Sequence, residues 1–481
     1  MDPKDENRCT MTINVLPDDV FLEIFDLCRQ DQPDFNWFFV WGQNGLVHVC
    51  QRWRRLVFGS ACRLDLQLPC THGTLVRKNL GCWPPIPITI RFGDNNSHRG
   101  GLTPDDEDSL FAAFEHPDRI RQIYLKLTSL LLEKVFTVMQ QQFPVLTHLT
   151  LEWDYYCRRP PALPSGFLGR SALCLQYIHL EGIPFPELPI LLSSTSDIIH
   201  LYLNDILSIS PEAMIACLAT LPRLEFLHIE HIEFESIKSH PDQILLLPMT
   251  RISLPVLSFE FWGTSEYLEG LISRIDSPRL NRIDIEYYYQ PSEFQVTQLF
   301  QFIDSLEDPR LALIRRACVN ISTRLVSLVL DPYPGYHPDQ GRVNISTHCP
   351  RLIGQNSYLA KLFGQPSALL SRVVHLEFYQ LRAFEDYRDY ECLHILPRFT
   401  ATRTLLLSAD FAGDNTLTPE HVTGGTEILP VLDLIWIDSD GQRAGSCIKK
   451  FLAARRLFNR PVTVIKSKAE FFDRVDSYVI E

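Results

Sequence analysis

The chain has 481 residues, of which 45% are apolar, so it can bury a sizeable core and is longer than one compact globule usually holds. Its formal charge of −13 argues against binding to nucleic acid or to an anionic membrane, whose phosphates would repel it. The thirteen cysteines lack zinc-ligand spacing, and no apolar run suits a signal peptide or a membrane span. We therefore expect a cytoplasmic or nuclear protein with free thiols, no metal and no cofactor.

The first predicted elements are two short helices within residues 12–58, after a segment 1–11 that we expect to be flexible. Pro17 suits the first turn of a helix, and Asp18 and Asp19 follow where the positive end of the helix dipole favours carboxylates. Apolar residues recur with helical spacing at Val20, Ile24, Leu27 and Cys28, and again at Leu46, Val49, Cys50, Trp53, Leu56 and Val57. So small a segment cannot bury all of them by itself, which predicts a protein partner.

These two helices resemble an F-box, in the form common at the N-terminus of fungal F-box proteins. The resemblance rests on the Leu16-Pro17 opening, the Ile24-Phe25 pair and the closing sequence from Val49 to Leu56. It covers roughly 45 residues, and the insert from Arg29 to Asn44 is longer and more aromatic than the family's usual connector. The alternative interpretation is an ordinary two-helix cap on the domain that follows.

The resemblance implies a binding site for a Skp-type adaptor protein and, through that adaptor, for a cullin. When the family's motif is carried over onto this sequence, the adaptor contacts are Leu16, Pro17, Val20, Ile24, Phe25, Val49, Cys50, Trp53 and Leu56.

Repetition is the main feature of residues 59–440. The pattern apolar-x-x-apolar-x-apolar begins at Ile120, Leu146, Leu175, Ile198, Leu224, Val256, Leu280, Leu325, Val373 and Thr402, and more weakly at Val431. Most starting positions are about 23 to 32 residues apart, close to the period of leucine-rich repeats, with two wider intervals after residues 280 and 325. In such repeats the patterned residues form a strand whose inward side chains share one core.

Several intervals between these strands predict helices. They are Thr103 to Phe114, Ser129 to Gln142, Ser210 to Leu218 and Phe294 to Leu306. The expected fold is therefore α/β, with a helical F-box followed by an irregular, horseshoe-like leucine-rich-repeat solenoid over 59–440 and a C-terminal cap at 441–481. Unrelated α/β domains are the alternative, because each single pattern is weak.

The outward positions of the strands predict a binding face. The residues just after the last apolar position of each pattern are Lys126, Glu152, Glu181, Asn204, Glu230, Trp262, Glu286 and Asp331. Five of these eight are acidic, and stacked repeats would align them. We assign target binding to Glu152, Glu181, Glu230, Trp262, Glu286 and Asp331; an ordinary solvated acidic surface is an equally good interpretation.

The sequence carries no phosphate-binding glycine loop, no paired-histidine metal motif and no nucleophile elbow, so we expect no catalytic residues. The histidines are dispersed, and His179 and His228 are expected to face outward from strands. An F-box followed by degenerate leucine-rich repeats resembles the substrate receptors of Skp–cullin–F-box ubiquitin ligases. The resemblance implies a non-catalytic receptor for an unidentified target protein; the alternatives are a scaffold unconnected with degradation and, more remotely, an enzyme with an unrecognised site.

Overall fold

The structure, a computed structural model, describes residues 15–30, 46–60, 64, 66–93, 102–154, 161–185, 188–205, 209–230, 251–288, 296–306, 308–322, 325–332, 341–348, 367–381, 396–408, 428–438, 446–457 and 459–467. Segment 1–11, nearly all of the insert from Arg29 to Asn44, and residues 441–445, 458 and 468–481 of the predicted cap lie outside them. The chain divides into two compact units, Met1–Arg159 with Gly166–Leu175 and Pro160–Ser165 with Gln176–Glu481, which we call unit 1 and unit 2. The domain boundaries predicted at residues 58 and 440 stay predictions.

Unit 1 contains five α-helices and four strands among its described residues. The helices are α1 (Asp18–Gln30), α2 (Gln51–Gly59), α3 (Val76–Cys82), α4 (Pro104–Phe114) and α5 (Ser129–Val138), with 3-10 turns at Leu46–His48 and Phe167–Arg170. The strands are β1 (Leu68–Cys70), β2 (Ile88–Phe92), β3 (Ile120–Leu127) and β4 (His148–Trp153). They pair in chain order, and each pair is parallel.

The helix α4 shows how the sequence sets an element's start. The Thr103 side chain accepts a hydrogen bond from the Asp106 N–H, the Asp106 carboxylate accepts one from the Thr103 N–H, and Pro104 takes the first helical position. The same carboxylate accepts a hydrogen bond from the Gly73 N–H at 2.7 Å. This reciprocal cap confirms the predicted helix from Thr103 to Phe114 and ties its N-terminus to the segment that follows β1.

Unit 2 contains most of the predicted repeats. Its strands are β5 (Tyr177–Glu181), β6 (His200–Asn204), β7 (Phe226–Glu230), β8 (Ile252–Ser253), β9 (Ser258–Gly263), β10 (Ile275–Asp276), β11 (Arg282–Tyr287), β12 (Arg316–Ser322), β13 (Leu325–Asp331), β14 (Arg342–His348), β15 (His375–Leu381), β16 (Thr404–Leu407), β17 (Leu434–Asp438) and β18 (Thr463–Ser467). Its helices are α6 (Leu188–Ser193), α7 (Pro211–Leu218), α8 (Ser265–Ile272), α9 (Thr297–Asp304), α10 (Ala368–Ser371) and α11 (Ser446–Leu457), with 3-10 turns at Leu311–Leu313 and Leu396–Arg398.

The sheet of unit 2 is mostly parallel. Its strand order is β5-β6-β7-β9-β11-β14-β13-β12-β15-β16-β17-β18, while β8 and β10 form a separate parallel pair. The α/β class expected from the sequence is thereby confirmed, with eleven α-helices in the described part of the chain. The predicted helices at Ser129, Ser210 and Phe294 are present as α5, α7 and α9, although α5 and α9 are shorter than expected.

Seven middle apolar positions of the repeats are buried. In unit 1 these are Ile123 and Leu149, and in unit 2 they are Ile178, Leu201, Leu227, Ile283 and Leu328. Each is at most 1% exposed, as expected of side chains that share the inward phase of the strands. Within each unit the aligned register confirms that these residues point to one side of the sheet.

Two details of the predicted repeats are wrong. β13 runs antiparallel to both β12 and β14, so the pattern at Leu325 belongs to a reversed strand and not to a parallel repeat. In β17 the register is shifted by one residue. Leu432, Ile435 and Ile437 are buried there, whereas Val431 is 44% exposed. The run of apolar residues in this strand satisfies both phases, so the pattern alone cannot choose between them.

Candidate protein-interaction sites

The two N-terminal helices share an aromatic core. Phe21 and Phe25 of α1 are fully buried, and both pack edge-on against Trp53 of α2, with ring centroids 5.3 and 5.1 Å away. Edge-to-face contacts of this kind stabilise a small core beyond simple burial. The structure therefore places Phe25 and most of Trp53 inside the segment, where they hold the helices together and do not present a surface.

Arg52 fixes the start of this segment. Its Nη2 donates a hydrogen bond to the Leu16 carbonyl at 2.7 Å, its Nε donates one to the Asp18 carboxylate at 3.1 Å, and its guanidinium lies 4.9 Å from the Phe21 ring centroid. Leu16 is half-buried and Pro17 is exposed. A side chain of α2 thus holds the opening Leu-Pro pair in place. No role for Arg52 was predicted from the sequence.

The remaining predicted adaptor residues divide by exposure. Val20, Ile24 and Leu27 are 39%, 36% and 60% exposed and recur at helical spacing on one side of α1, so we call them the α1 apolar face. Val49, just before α2, is 60% exposed. Cys50 is also exposed; it caps α2 by accepting a hydrogen bond from the Trp53 N–H at 3.5 Å.

Glu152 is the one predicted target-binding residue in unit 1. It lies on β4 beside Lys126 of β3, its register partner. The Lys126 Nζ is 3.0 Å from its carboxylate, and both side chains are mostly buried. This ion pair neutralises Glu152 within unit 1.

Leu56 is the last of the predicted adaptor residues. It is half-buried in α2 of unit 1.

The other predicted acidic residues lie in unit 2, and four of the five predicted positions there align. Register pairs join Glu181 to Asn204, Asn204 to Glu230, Glu230 to Trp262 and Trp262 to Glu286. These residues form one row at the C-terminal end of strands β5, β6, β7, β9 and β11, which we call the acidic row. The row predicted from spacing is confirmed over these five strands.

Asp331 does not belong to the acidic row, which corrects the prediction. The residue of β13 that is level with Glu286 is Ser327, reached through Ser346 of β14. Asp331 follows four residues later, about 13 Å further along the strand at 3.3 Å per residue. It pairs instead with Arg316 of β12, at 3.3 Å. The reason is that β13 runs antiparallel to its neighbours, so its C-terminal end lies beside the N-terminal end of β12, away from the acidic row.

Aromatic residues lie beside the acidic row. Tyr202 of β6 stacks on Phe226 of β7 with ring centroids 4.7 Å apart, and Tyr177 of β5 lies 5.2 Å from Tyr202. His228 lies between Tyr202, at 5.9 Å, and Trp262, at 5.1 Å. We call these five residues the aromatic floor. Of these five, Trp262 was predicted from the sequence as a site residue. The signal for the other four is an aromatic residue or histidine at outward positions of three successive strands.

His228 faces outward from its strand, as predicted, yet its side chain is buried. Its side chain is 7% exposed, and its Nδ1 lies 3.1 Å from the Glu260 carboxylate. In the neutral tautomer that donates its Nδ1–H to that carboxylate, the ring carries its lone pair on Nε2. Among the residues that the structure describes, neither the buried Nε2 nor the buried Oδ1 of Asn204 has a hydrogen-bond partner.

The pKa of Glu230 is raised to about 7. Burial is the main cause, because it disfavours the charged carboxylate, and the nearby Asp205 carboxylate raises the pKa further. Glu181 and Glu286, its neighbours in the acidic row, act in the same direction, while His228 opposes them. Within the described residues the Glu230 carboxylate makes no ion pair or hydrogen bond that would offset this crowding of negative charge.

Charges on the neighbouring strands β12 and β15 are paired, in contrast. Arg316 donates two hydrogen bonds to the Glu377 carboxylate, at 2.7 and 2.8 Å, and one to Asp331. These contacts raise the already high pKa of the guanidinium. The guanidinium therefore has carboxylate partners within the sheet, and the positive and negative charges in this part of the sheet offset each other.

No model of a known protein family matches this chain, and no curated protein matches it significantly. Among the helices of the described residues, none combines the length and the apolar character that crossing a bilayer requires.

Proposed function

We propose that the chain is a non-catalytic substrate receptor of a Skp–cullin–F-box ubiquitin ligase. The N-terminal helices act as an F-box that binds a Skp-type adaptor and through it a cullin, and the strands act as degenerate leucine-rich repeats in a solenoid that holds a target protein. The observation that carries the proposal is the α1 apolar face, which exposes three aliphatic side chains above a core that is already complete.

The core between α1 and α2 is packed without the α1 apolar face. Phe21, Phe25 and Trp53 satisfy the packing of the helix pair, so the exposed Val20, Ile24 and Leu27 contribute nothing to it. Because these side chains are already partly buried, covering the rest of each against a partner contributes roughly 0.5 to 2 kcal/mol. An amphipathic helix of this kind suits a hydrophobic groove, with anchors at i, i+4 and i+7.

A receptor of this kind accelerates ubiquitin transfer by proximity. Holding a target beside the ubiquitin-charged conjugating enzyme raises the effective concentration of the target's lysines, and the receptor itself needs no acid, base or nucleophile. The acidic row and the aromatic floor of unit 2 support the target-binding half of the proposal, because exposed aromatics and charges are common anchors of protein interfaces.

The adaptor half is tested with a double variant, Val20→Asp with Ile24→Asp. Both positions are exposed, so the chain should stay folded, while two charges placed in an apolar groove should weaken adaptor binding more than about 100-fold. Co-elution with a purified Skp-type adaptor measures this. Leu130→Asp is the matched control, because Leu130 is 61% exposed on α5 of the same unit. The pair Leu16→Ala with Pro17→Ala should likewise abolish co-purification.

Equal adaptor recovery by the double variant and the control would refute the F-box assignment. The degradative role is separated from a scaffold role by one further measurement. Transfer of ubiquitin to a protein held by unit 2 should be lost with Val20→Asp and Ile24→Asp if the chain is a receptor. It should be absent even with the unaltered chain if the chain is only a scaffold.

A further inference from the structure

The outward side of strands β5, β6, β7 and β9 is rich in carboxylate, amide and hydroxyl oxygens, and its basic residues are histidines. Its outward positions are Tyr177, His179, Glu181, His200, Tyr202, Asn204, Phe226, His228, Glu230, Ser258, Glu260 and Trp262. All twelve are described, and none is lysine or arginine. The nearest guanidinium on the sheet, that of Arg282 on β11, lies 3.4 Å from Glu260 and so compensates one carboxylate.

Two independent observations indicate that this surface would accept hydrogen bonds from a bound ligand. Glu230 carries a crowded carboxylate with no hydrogen bond or ion pair among the described residues. Among the described residues, the buried atoms His228 Nε2 and Asn204 Oδ1 have no hydrogen-bond partner, and both are acceptors when His228 donates its Nδ1–H to Glu260. His228 is more than nine-tenths buried and lies between Tyr202 and Trp262, so its lone pair belongs to the same site as the aromatic floor.

The chemistry that meets all these requirements is a cation that carries N–H donors. Arginine and lysine side chains donate hydrogen bonds only, bind carboxylates, and are attracted to the faces of tyrosine, phenylalanine and tryptophan rings. A neutral apolar ligand would leave the Glu230 carboxyl and the two buried atoms without a hydrogen-bond partner, and an anion would be repelled by the acidic row. We propose that the acidic row and the aromatic floor bind an extended polypeptide segment through its arginine or lysine side chains.

The register also specifies a spacing for those side chains. Glu181, Glu230 and Glu286 lie on alternate strands of the order β5-β6-β7-β9-β11, so successive carboxylates are about 9.6 Å apart at 4.8 Å per strand. In a polyproline II segment every third side chain points the same way, at a repeat of about 9.3 Å. A segment in that conformation with a basic residue at every third position therefore matches the row.

This inference rests on the proposed target-binding role of the strands, yet it is tested without the adaptor. The probe is a fluorescein-labelled peptide of three Arg-Pro-Pro repeats, titrated against the full-length chain by fluorescence anisotropy. Two comparison peptides have the same length: one clusters its three arginines together, and the other carries glutamine in place of each arginine. We expect the spaced peptide to bind most tightly, the clustered peptide at least about fivefold more weakly, and the glutamine peptide not measurably.

Variants then locate the binding. Glu181→Gln with Glu230→Gln keeps the shape of both side chains and should weaken the spaced peptide by about tenfold or more, because hydrogen bonds to charged groups are the strong ones. Tyr202→Leu should weaken it by about fivefold through loss of the cation–π contact. Glu266→Gln is the control, since Glu266 is an exposed carboxylate on α8 of the same unit. Added salt should weaken binding to the unaltered chain.

Equal binding of the glutamine and arginine peptides, or equal effects of the Glu230 and Glu266 substitutions, would overturn the proposal. Equal binding of spaced and clustered arginines would overturn the spacing derived from the register. The outcome is distinguishable from failure of the proposed function, because Val20→Asp with Ile24→Asp should remove adaptor binding and leave peptide affinity unchanged. Peptide binding without any adaptor binding would refute the ligase role alone.

Discussion

Glu230 should make unit 2 less stable as the pH rises, and Glu230→Gln should remove that dependence. The folded-state pKa is about 7, against an ordinary value of 4.5, chiefly because the carboxyl is buried. A group whose pKa is raised by folding contributes its full stability below pH 4.5 and loses it as the pH rises through about 7. The full difference in pKa corresponds to about 3 kcal/mol, which solvent screening of this half-buried side chain reduces to about 1 kcal/mol.

The assay is thermal unfolding of the unaltered chain and of Glu230→Gln at several values between pH 5 and 8.5. Below pH 5 the two proteins should melt together, because the glutamate is protonated in the folded state. At pH 8 the variant should melt about 2 °C higher, the shift expected from about 1 kcal/mol in a unit of this size. Glu266→Gln should show no such trend. A difference between Glu230→Gln and the unaltered chain that is the same at every pH would refute the reasoning.

Three further predictions concern the sheet of unit 2. Leu201→Ala, at a fully buried position of β6, should lower the free energy of unfolding by about 3 kcal/mol in urea titration, and a loss below about 1 kcal/mol would contradict the shared core. Arg316→Ala should cost about 3 kcal/mol because it leaves Glu377 and Asp331 without their cation, and adding Glu377→Ala should recover part of that loss. Asp331→Asn should leave the affinity for the spaced arginine peptide unchanged, since Asp331 lies outside the acidic row; a tenfold effect would contradict the corrected register.

The periodicity of the sequence predicted the buried side of a strand well wherever only one of its two alternating sets of residues is aliphatic. Ile178, Leu201 and Leu227 are preceded and followed by polar or aromatic residues, so their alternation fixes which side is buried. At β17 the run Val431, Leu432, Leu434 and beyond is apolar in both phases. The pattern then loses its power to choose, and only packing in three dimensions decides that Leu432 is inside and Val431 outside.

The candidate site was only partly predictable for a different reason. Spacing identified the carboxylates of the acidic row, because each lies at a fixed offset from an apolar position within its own strand. The aromatic floor depends on contacts between strands, such as the stacking of Tyr202 on Phe226. The core of the N-terminal helices is similar: Phe25 was assigned to the partner surface by resemblance, whereas its contact with Trp53 places it inside.

The two wide intervals between predicted repeats coincide with the part of the sheet where the strand direction reverses. Between the patterns at residues 280 and 325, and again between 325 and 373, the structure inserts the strands β12 and β14. The path β12-β13-β14 reverses direction twice, so β14 pairs in parallel with β11 and β12 in parallel with β15. The parallel sheet continues on both sides only because the reversals come in a pair.

That insertion also separates two electrostatic regions of one sheet. The inserted strands bring in Arg316 and His348, which pair with carboxylates of β15 and β11 at 2.7 and 2.6 Å. The outward positions of β5, β6, β7 and β9 contain no lysine or arginine, and Glu181 and Glu230 lie on alternate strands of the acidic row. A cationic segment should therefore be attracted more strongly to the acidic row on β5 through β11 than to the strands beyond it, where Arg316 compensates the carboxylates. The reach of the proposed site is thus set by the position of the inserted strands, not by the length of the repeat array.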